Sequence, residues 1–315
     1  MNVYEWKQYA LLKLKSSEFY RDDEVFWLSS ILNNLLQGIL KIKNFYLDLS
    51  ELELDNLNES RLNAALNSLC KGEPLEQIIG YTYFYGNKIS VFPNVLIPRP
   101  DSELLVETVI KYFPFLQNSK KTSMYSKANI LNTKNTEKNI LNFLEIGVGS
   151  GALSIAIAKE IMKISESNFK IFTSDISLDA LEASKINILQ HDLEDLISIE
   201  EADLWPKTIK AGNEKLDLIY SNPPYIGEDE LIDKELLEFE PKLALLANND
   251  GLEFYERILA DADKYLNTNG LIIFEHGEKQ RDRVNQLALS SSKYGIIENI
   301  NDLAGRPRIS VYIKI

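Results

Sequence analysis

The spacing of hydrophobic residues changes near residue 76 of the chain. Before that point, apolar side chains recur three or four positions apart, as in the run from Val25 to Leu36 that precedes Gly38. This spacing places them on one face of a helix, which can then pack against other helices. We therefore predict a small helical bundle over residues 1–76, with one helix ending at Gly38, because glycine commonly follows a helix.

Residues 77–100 show an alternating pattern instead. Tyrosines at every second position come before Gly86-Asn87, and Ile89 and Val91 alternate with polar neighbours after it. Two alternating runs around a Gly-Asn pair predict a β-hairpin. The prolines of Leu96–Asp101 then favour an extended chain, because a residue that precedes proline avoids the helical conformation. We interpret residues 77–100 as a β-hairpin connector.

Residues 101–315 alternate between strand and helix patterns. The apolar strand runs are Phe143–Ile146, Lys170–Thr173, Leu216–Tyr220 and Leu271–Phe274. Such βαβ alternation predicts a mostly parallel, doubly wound sheet of the Rossmann-like α/β class. Two final runs, around Ile296-Ile297 and Ile309–Ile313, predict an antiparallel strand pair near the end of the chain.

Residues 117–139 interrupt this alternation. Sixteen of these 23 residues are Asn, Ser, Thr or Lys, and few are apolar. A segment of this composition has little apolar surface to bury and is typical of flexible chain. We therefore predict that a helix ends near Tyr112 and that a flexible insertion with solvated lysines follows it.

Charge and composition narrow the classes of partner. The chain carries 47 acidic and 34 basic residues, a formal net charge of −13, whereas a protein that grips a nucleic-acid backbone normally needs a basic face. No run approaches the roughly 20 apolar residues of a membrane span. Cys70 is the single cysteine and there are two histidines, so we expect neither an internal disulfide nor a metal site. We expect a cytoplasmic protein with no membrane partner and no direct contact with nucleic acid.

A glycine-rich loop is the first candidate for chemistry. Between a predicted strand and a predicted helix it comprises Gly147, Val148, Gly149, Ser150 and Gly151. Glycines allow a tight turn and close approach of a ligand, and exposed amides at a helix start favour a polar or negative group. The Gly-x-Gly-x-Gly spacing differs from the Gly-x-Gly-x-x-Gly of nicotinamide-binding folds. A strand-to-helix turn without a ligand is the alternative.

Asp175 is the second candidate, because it ends the next predicted strand. Its carboxylate offers two oxygens, which can accept hydrogen bonds from both hydroxyls of a ribose. Dinucleotide enzymes and S-adenosylmethionine enzymes share this feature, so it does not distinguish between them. The alternative is a cap for the following helix, although Ser177 can serve as that cap itself.

The most informative run is Asn222-Pro223-Pro224-Tyr225, directly after a predicted strand. Two prolines end the sheet and remove two backbone donors, while the carbonyl acceptors remain. The Asn222 side-chain oxygen and the Pro223 carbonyl can accept both N–H bonds of a planar –NH2 group, with Tyr225 against its face. Holding both hydrogens aligns a poor amide nucleophile with a methyl donor. An ordinary proline loop is the alternative.

Asp203-Leu204 is a weaker candidate, in the run Ala202-Asp203-Leu204-Trp205. An acidic side chain at this point can accept a hydrogen bond from the exocyclic amine of adenine, while apolar neighbours pack against the base. The alternative is a polar loop residue beside a tryptophan of the core.

The sequence resembles the release factor glutamine methyltransferases along about residues 20–315. Besides the candidates above, the runs that carry the resemblance are Gly72–Gly80, Phe84–Gly86, Leu96–Val106, Glu240-Pro241, Ala244-Leu245, Asp250–Leu252, Glu275–Gly277 and Gly305-Arg306. The run Ile97-Pro98-Arg99-Pro100, placed just before the predicted cofactor domain, is the most specific of these. The Asn-Pro-Pro-Tyr element is shared with several other amino-group methyltransferases.

The resemblance implies a fold, a cofactor and a partner. The residues that would contact S-adenosylmethionine are Gly147–Gly151, Asp175, Asp203-Leu204 and Asn222. Residues Asn222–Tyr225 would hold the substrate, which in this family is the glutamine of a Gly-Gly-Gln motif on peptide chain release factors. Residues 1–76 would help to dock this protein partner, and residues 101–315 would form the methyltransferase domain.

Three other functions stay open on the sequence alone. An adenine-N6 methyltransferase acting on DNA or RNA would use Asn222–Tyr225 on a flipped base, but it would be expected to carry a basic groove and a target-recognition domain. A glutamine methyltransferase acting on a ribosomal protein differs mainly in its partner. A non-enzymatic module that binds S-adenosylmethionine is the third, and an intact glycine loop beside an intact amide clamp argues against it.

Overall fold

The computed structural model describes residues 1–42, 52–131, 140–166, 168–210, 215–227 and 238–315, and for residues 121–131 it describes the backbone alone. Contacts within the chain divide it into two compact units. The smaller unit is built mainly from Met1–Tyr81, and the larger unit comprises Thr82–Ile232 and Glu240–Ile315.

Helices make up most of the described part of the smaller unit. They are α1 (Val3–Lys15), α2 (Val25–Leu40), α3 (Asn56–Leu69) and α4 (Leu75–Ile79). The apolar faces of α1, α2 and α3 meet in one buried cluster that includes Trp6, whose indole N–H donates to Asn63 Oδ1 at 2.9 Å. Helix α1 begins at a capping box in which Asn2 and Glu5 each accept the backbone N–H of the other.

Helix α2 does not end at Gly38, as the sequence pattern predicts, but continues to Leu40. A Cβ atom at Gly38 would lie 2.6 Å from Cγ2 of Ile79 on α4. This glycine therefore permits two helices to approach closely and does not terminate one of them. The left-handed residue that follows the helix is Lys41, with a φ of 54°.

A β-hairpin is formed by β1 (Tyr81–Phe84) and β2 (Asn87–Ser90). Its two-residue turn is Tyr85-Gly86, one position earlier than the predicted Gly86-Asn87, and the two turn residues have φ values of 48° and 72°. Two left-handed residues give the turn whose twist matches that of the flanking strands. The Tyr85 amide also donates to the Glu103 carboxylate at 2.6 Å, which anchors the turn.

Helix α5 (Glu103–Leu131) follows a 3-10 turn over Pro100–Ser102 and runs well past Tyr112, where the sequence pattern predicts its end. The helix thus continues into the segment that composition predicts to be flexible, and the helix ends at Leu131. The rest of that segment, residues 132–139, lies outside the described residues. Lysine, alanine, methionine and leucine are good helix formers, so a polar composition alone does not exclude a helix.

Lys120 shows that the start of this segment is fastened to the sheet. Its Nζ lies 2.9 Å from the carboxylate of Asp217, which is buried near the start of a strand. The same carboxylate accepts hydrogen bonds from the Asn142 amide and the Asn267 side chain. The prediction of solvated lysines therefore does not hold for Lys120, because a buried carboxylate is stabilised by a cation beside it.

The larger unit is organised around a seven-stranded sheet. The remaining strands are β3 (Leu141–Ile146), β4 (Phe169–Asp175), β5 (Ile197–Glu201), β6 (Leu216–Ser221), β7 (Ile226–Gly227), β8 (Leu246–Ala247), β9 (Leu266–Glu275), β10 (Tyr294–Asn301) and β11 (Pro307–Lys314). The order in the sheet is β10-β11-β9-β6-β3-β4-β5, while β7 and β8 form a separate parallel pair. Strands β9, β6, β3, β4 and β5 run parallel, and β11 is antiparallel to both β9 and β10.

Helices cover both faces of this sheet. They are α5, α6 (Ala152–Ile164), α7 (Leu178–Gln190), α10 (Glu253–Tyr265) and α11 (Arg281–Ser290). Two four-residue segments, α8 (Lys242–Leu245) and α9 (Asn248–Gly251), lie on either side of β8 in the chain, and α9 contains two left-handed residues. One apolar cluster joins the sheet to α5 and α6, and a second joins it to α10 and α11. The predicted doubly wound α/β fold with an antiparallel terminal pair is confirmed.

Two further observations complete the fold. Strand β5 was not predicted, because Ile197 and Ile199 stand among polar and acidic residues and give only a short alternating run. Across the described ranges, none of the helices combines the length and the apolar character that a membrane span requires.

Candidate active site

The candidate site is a cleft at the carboxyl ends of three neighbouring strands of the larger unit. Strand β3 leads into the glycine loop, β4 ends at Asp175, and β6 ends one residue before Asn222. Ligand sites of open α/β sheets form at such strand ends. The cleft has about 810 Å³ of free space, including the part open to solvent. The predicted site residues that line it are Gly147, Gly149, Asp175, Asp203, Leu204, Asn222, Pro223 and Pro224.

Four other predicted site residues do not line this cleft: Val148, Ser150, Gly151 and Tyr225. Val148 and Ser150 are buried on the protein side of the loop. The Ser150 carbonyl accepts a hydrogen bond from the Asn187 side chain at 2.9 Å, which holds the loop from behind.

The glycines of the loop are required by its backbone conformation. Gly147 and Gly149 have φ values of 78° and 53°, in the left-handed region that other residues rarely adopt. A Cβ atom added to either one would meet no described atom within 4 Å, so both positions face open space. A ligand can therefore approach the main chain closely at these two residues.

The loop amides serve the protein itself, which corrects one expectation from the sequence. The N–H groups of Gly147 and Val148 both donate to the Ser174 carbonyl, at 2.8 and 3.0 Å. The Gly149 N–H donates to Asp175 Oδ2 at 2.9 Å. These amides are not exposed donors for an anionic group, and the loop contributes space and shape at this point.

Asp175 links the glycine loop to the next helix. Besides Gly149, it accepts a hydrogen bond from the Ser177 N–H to Oδ1 at 2.9 Å. Burial raises the pKa of Asp175 above its ordinary value, and hydrogen bonds from the Gly149 and Ser177 amides act in the opposite direction. A carboxylate has about four acceptor positions, so two backbone bonds leave capacity for the two hydroxyls of a ribose.

Asp203 and Leu204 both line the cleft. The Asp203 side chain is 54% exposed and pairs with Arg257 at 2.7 Å. Leu204 is buried in a left-handed conformation with a φ of 76°, and its carbonyl accepts a hydrogen bond from Ser174 Oγ at 2.7 Å. The cleft therefore offers one acidic and one apolar group side by side.

Asn222 is held from behind by a serine that the sequence analysis did not single out. Its Nδ2 donates to Ser102 Oγ at 2.9 Å. Ser102 ends the 3-10 turn Pro100–Ser102 and is only 4% exposed. Because Nδ2 faces Ser102, Oδ1 is left as the acceptor of the side chain.

Tyr225 is fixed through its backbone. Its carbonyl accepts a hydrogen bond from Gln280 Nε2 at 2.8 Å, and a Cβ atom at Gly251 would collide with it. Burial, followed by the charge of Glu275, raises the pKa of the Tyr225 phenol. The phenol is therefore neutral near pH 7, which suits a ring that packs against a flat group.

An ion pair joins Arg99 to Glu240. The guanidinium of Arg99 hydrogen-bonds the Glu240 carboxylate, whose side chain is 3% exposed. Glu240 precedes Pro241, and Pro241 and Ala244 both line the cleft. Arg99 of the Ile-Pro-Arg-Pro run thus holds the residue that precedes the cleft-lining segment, and Ser102, two residues after the run, contacts Asn222.

Two buried carboxylates lie close to the site. Burial raises the pKa of Glu275 to about 7, although a hydrogen bond from Ser102 and the charge of Arg308 act against this. Burial likewise raises the pKa of Glu145, which precedes the glycine loop, to about 8. The hydroxyl of Ser154 donates a hydrogen bond to the Glu145 side chain. Sequence patterns gave these residues no role, because each lies in an apolar strand run.

The site fits S-adenosylmethionine. The open backbone at Gly147 and Gly149 gives a ligand access, and Asp175 keeps acceptor capacity for a ribose. A cleft of this size accommodates a ligand of that kind. Leu204 supplies an apolar surface of the kind that a flat base packs against.

Known proteins resemble this chain over most of its length. The Methyltransferase small domain family matches residues 126–239. A release factor glutamine methyltransferase of Clostridium acetobutylicum is 33% identical over 310 residues, which cover 98% of this chain and 96% of that protein. A bifunctional methyltransferase of Rickettsia bellii is 36% identical over 282 residues, 87% of this chain but only 49% of that longer protein.

Among solved structures, the N-terminal domain of human METTL16 in complex with SAH gives a TM-score of 0.46 at 14% identity, covering 99% of this chain and 96% of that one. The full-length match to the Clostridium protein decides the family. The cofactor is S-adenosylmethionine. The chain belongs to the release factor glutamine methyltransferases, a family of S-adenosylmethionine-dependent enzymes.

Proposed function

We propose that this protein methylates the side-chain amide nitrogen of the glutamine in the Gly-Gly-Gln motif of translation release factors. The observation that carries the proposal is the position of Asn222, which lines the same cleft as the glycine loop and Asp175. Its Nδ2 donates to Ser102, so its oxygen is the acceptor left for a substrate –NH2 group. Relatives named release factor glutamine methyltransferase support the choice of partner.

The cofactor side of the cleft binds and orients S-adenosylmethionine. S-adenosylmethionine supplies an electrophilic methyl group when it is bound. Asp175 accepts the ribose hydroxyls, and Gly147 and Gly149 leave room for the ligand against the main chain. Leu204 packs against the adenine, while Asp203 accepts from its amine and keeps its contact with Arg257, since one carboxylate accepts several hydrogen bonds.

The substrate side holds a planar amide. Asn222 Oδ1 and the Pro223 carbonyl accept the two N–H bonds of the glutamine side chain. Tyr225, three residues along the chain from Asn222 and outside the lining of the cofactor cleft, packs against the face of the amide. An amide nitrogen is a weak nucleophile because its lone pair is delocalised into the carbonyl. Fixing both hydrogens fixes the direction of the nitrogen, so the rate gain comes from positioning and electrostatics.

The smaller unit is assigned to partner docking. Residues 1–76 would contact the release factor, residues 77–100 connect, and residues 101–315 carry the chemistry. Large apolar side chains exposed at the start of α2, Phe26 and Trp27, support an interaction surface there. Release factors act on ribosomes, so the protein would work in the cytoplasm.

Labelled S-adenosylmethionine tests the proposal. The protein is incubated separately with a release factor, with ribosomes, and with DNA and RNA. We expect label on the release factor alone, and none on a factor whose Gly-Gly-Gln glutamine is changed to alanine. Label on nucleic acid would support an adenine methyltransferase instead, and label on a ribosomal protein would identify a different partner.

A further inference from the structure

Ser102 lies behind the substrate side of the cleft and does not line it. It is buried, and its hydroxyl oxygen accepts the hydrogen bond from Asn222 Nδ2 at 2.9 Å. The two residues are 120 positions apart in the chain. A buried hydrogen bond between residues so far apart in sequence indicates that Ser102 helps to orient the Asn222 carboxamide.

The direction of this hydrogen bond follows from the chemistry of the groups. The –NH2 of Asn222 can only donate, so the Ser102 oxygen must accept. Oδ1 is then left as the acceptor of a side chain that lines the cleft.

The reverse orientation of Asn222 is disfavoured by the proposed substrate. On the cleft side, the reversed carboxamide would present –NH2 to the substrate –NH2, where two donors cannot bond.

We propose that Ser102 is a positioning residue that keeps the Asn222 carboxamide oxygen turned toward the substrate amide. This inference rests on the proposed function, because orientation matters only if Asn222 accepts from a substrate –NH2 group. Ser102 acts through Asn222, so its loss affects the turnover number more than the binding of either substrate.

The test compares kcat and KM for release factor methylation in full-length variants. Ser102→Ala removes the acceptor and is expected to lower kcat about 10-fold, the usual worth of one hydrogen bond. KM and the affinity for S-adenosylmethionine should change less than about 3-fold. Ser102→Thr keeps the hydroxyl and should restore most of the activity. Ser184→Ala is the matched control, since Ser184 is equally buried but donates within its own helix to Leu181.

A double-mutant cycle separates positioning from a general loss of stability. In the Asn222→Ala background, Ser102→Ala should lower kcat little further, since Ser102 acts only through Asn222. Independent, multiplying losses in kcat would overturn the positioning role.

The outcomes for the two proposals are distinguishable. A wild-type protein that does not methylate release factor would reject the proposed function, and this inference with it. A wild-type protein that does, with kcat unchanged in Ser102→Ala, would reject this inference alone. Equal losses of kcat in Ser102→Ala and Ser184→Ala would also overturn it. So would a Ser102→Thr variant that unfolds at the wild-type temperature but does not recover activity.

Discussion

The cofactor side and the substrate side of the cleft are built in different ways. On the cofactor side, the main contact joins Gly149, in the loop after β3, to Asp175, 26 positions later at the end of the adjacent strand β4. On the substrate side, Asn222 depends on Ser102, 120 positions away. On the cofactor side, the contact joins a backbone amide to a side chain that is close to it in sequence. On the substrate side, the contact joins two side chains that only the complete fold brings together.

This difference separates two kinds of failure. Loss of a contact on the cofactor side should weaken binding of S-adenosylmethionine, because backbone shape and one carboxylate define that side. Loss of a contact on the substrate side should slow the reaction while the cofactor still binds.

Replacing the clamp residue has the largest expected effect. Asn222→Ala should lower kcat by about 100- to 1000-fold, the usual cost of one positioned contact in the transition state. Affinity for S-adenosylmethionine, measured by calorimetry, should fall much less. Asn222→Asp keeps the shape and an acceptor and should fall between the wild type and alanine. A kcat near that of wild type in Asn222→Ala would remove this residue from the chemistry.

Removing the acidic residue of the cofactor side comes next. Asp175→Ala should weaken S-adenosylmethionine binding by about 10- to 100-fold, or 1.5–3 kcal/mol, through loss of charge-assisted hydrogen bonds. Because Asp175 also accepts the Gly149 and Ser177 amides, we expect a lower melting temperature as well. Asp175→Asn keeps one acceptor and should be intermediate. Unchanged affinity in the alanine variant would exclude Asp175 from the site.

Breaking the Arg99–Glu240 pair should cost stability on the substrate side. Arg99→Met keeps the aliphatic stem but removes the cation beside a buried carboxylate, at an expected cost of about 1–3 kcal/mol. The control is Arg283→Met, whose partner Asp250 is 76% exposed, with an expected cost of about 0–1 kcal/mol. Urea unfolding of both variants gives the comparison, and equal costs would contradict it.

The sequence predicts these two sides unequally. Gly147–Gly151 and Asp175 follow apolar strand runs, so local pattern alone places them at the ends of parallel strands. Ser102 looks like an ordinary member of a turn, and its contact with Asn222 exists only after folding. The expected free amides of the loop were wrong for a related reason, since their acceptors come from β4.

The smallest expected effect concerns Glu145. Burial raises its pKa to about 8 in the folded chain, whereas the unfolded chain has the ordinary value near 4.5. The folded state therefore holds the proton longer, and stability falls as pH rises from about 5 to about 8. Glu145→Gln cannot ionise, so its stability relative to wild type should rise over this range.

The expected slope for Glu145 is a fraction of the about 1.4 kcal/mol per pH unit that one full proton gives, because proteins relax around buried charges. Urea unfolding at several pH values measures it. A stability difference between wild type and Glu145→Gln that does not depend on pH would contradict the raised pKa.

Tandem mass spectrometry of a release factor, after reaction with this protein and S-adenosylmethionine, tests the proposed site of methylation most directly. We predict the mass of one methyl group on the side chain of the Gly-Gly-Gln glutamine with wild type, and an unmodified glutamine with Asn222→Ala that still binds S-adenosylmethionine. A methyl group on any other residue, or the same yield with both proteins, would contradict the account.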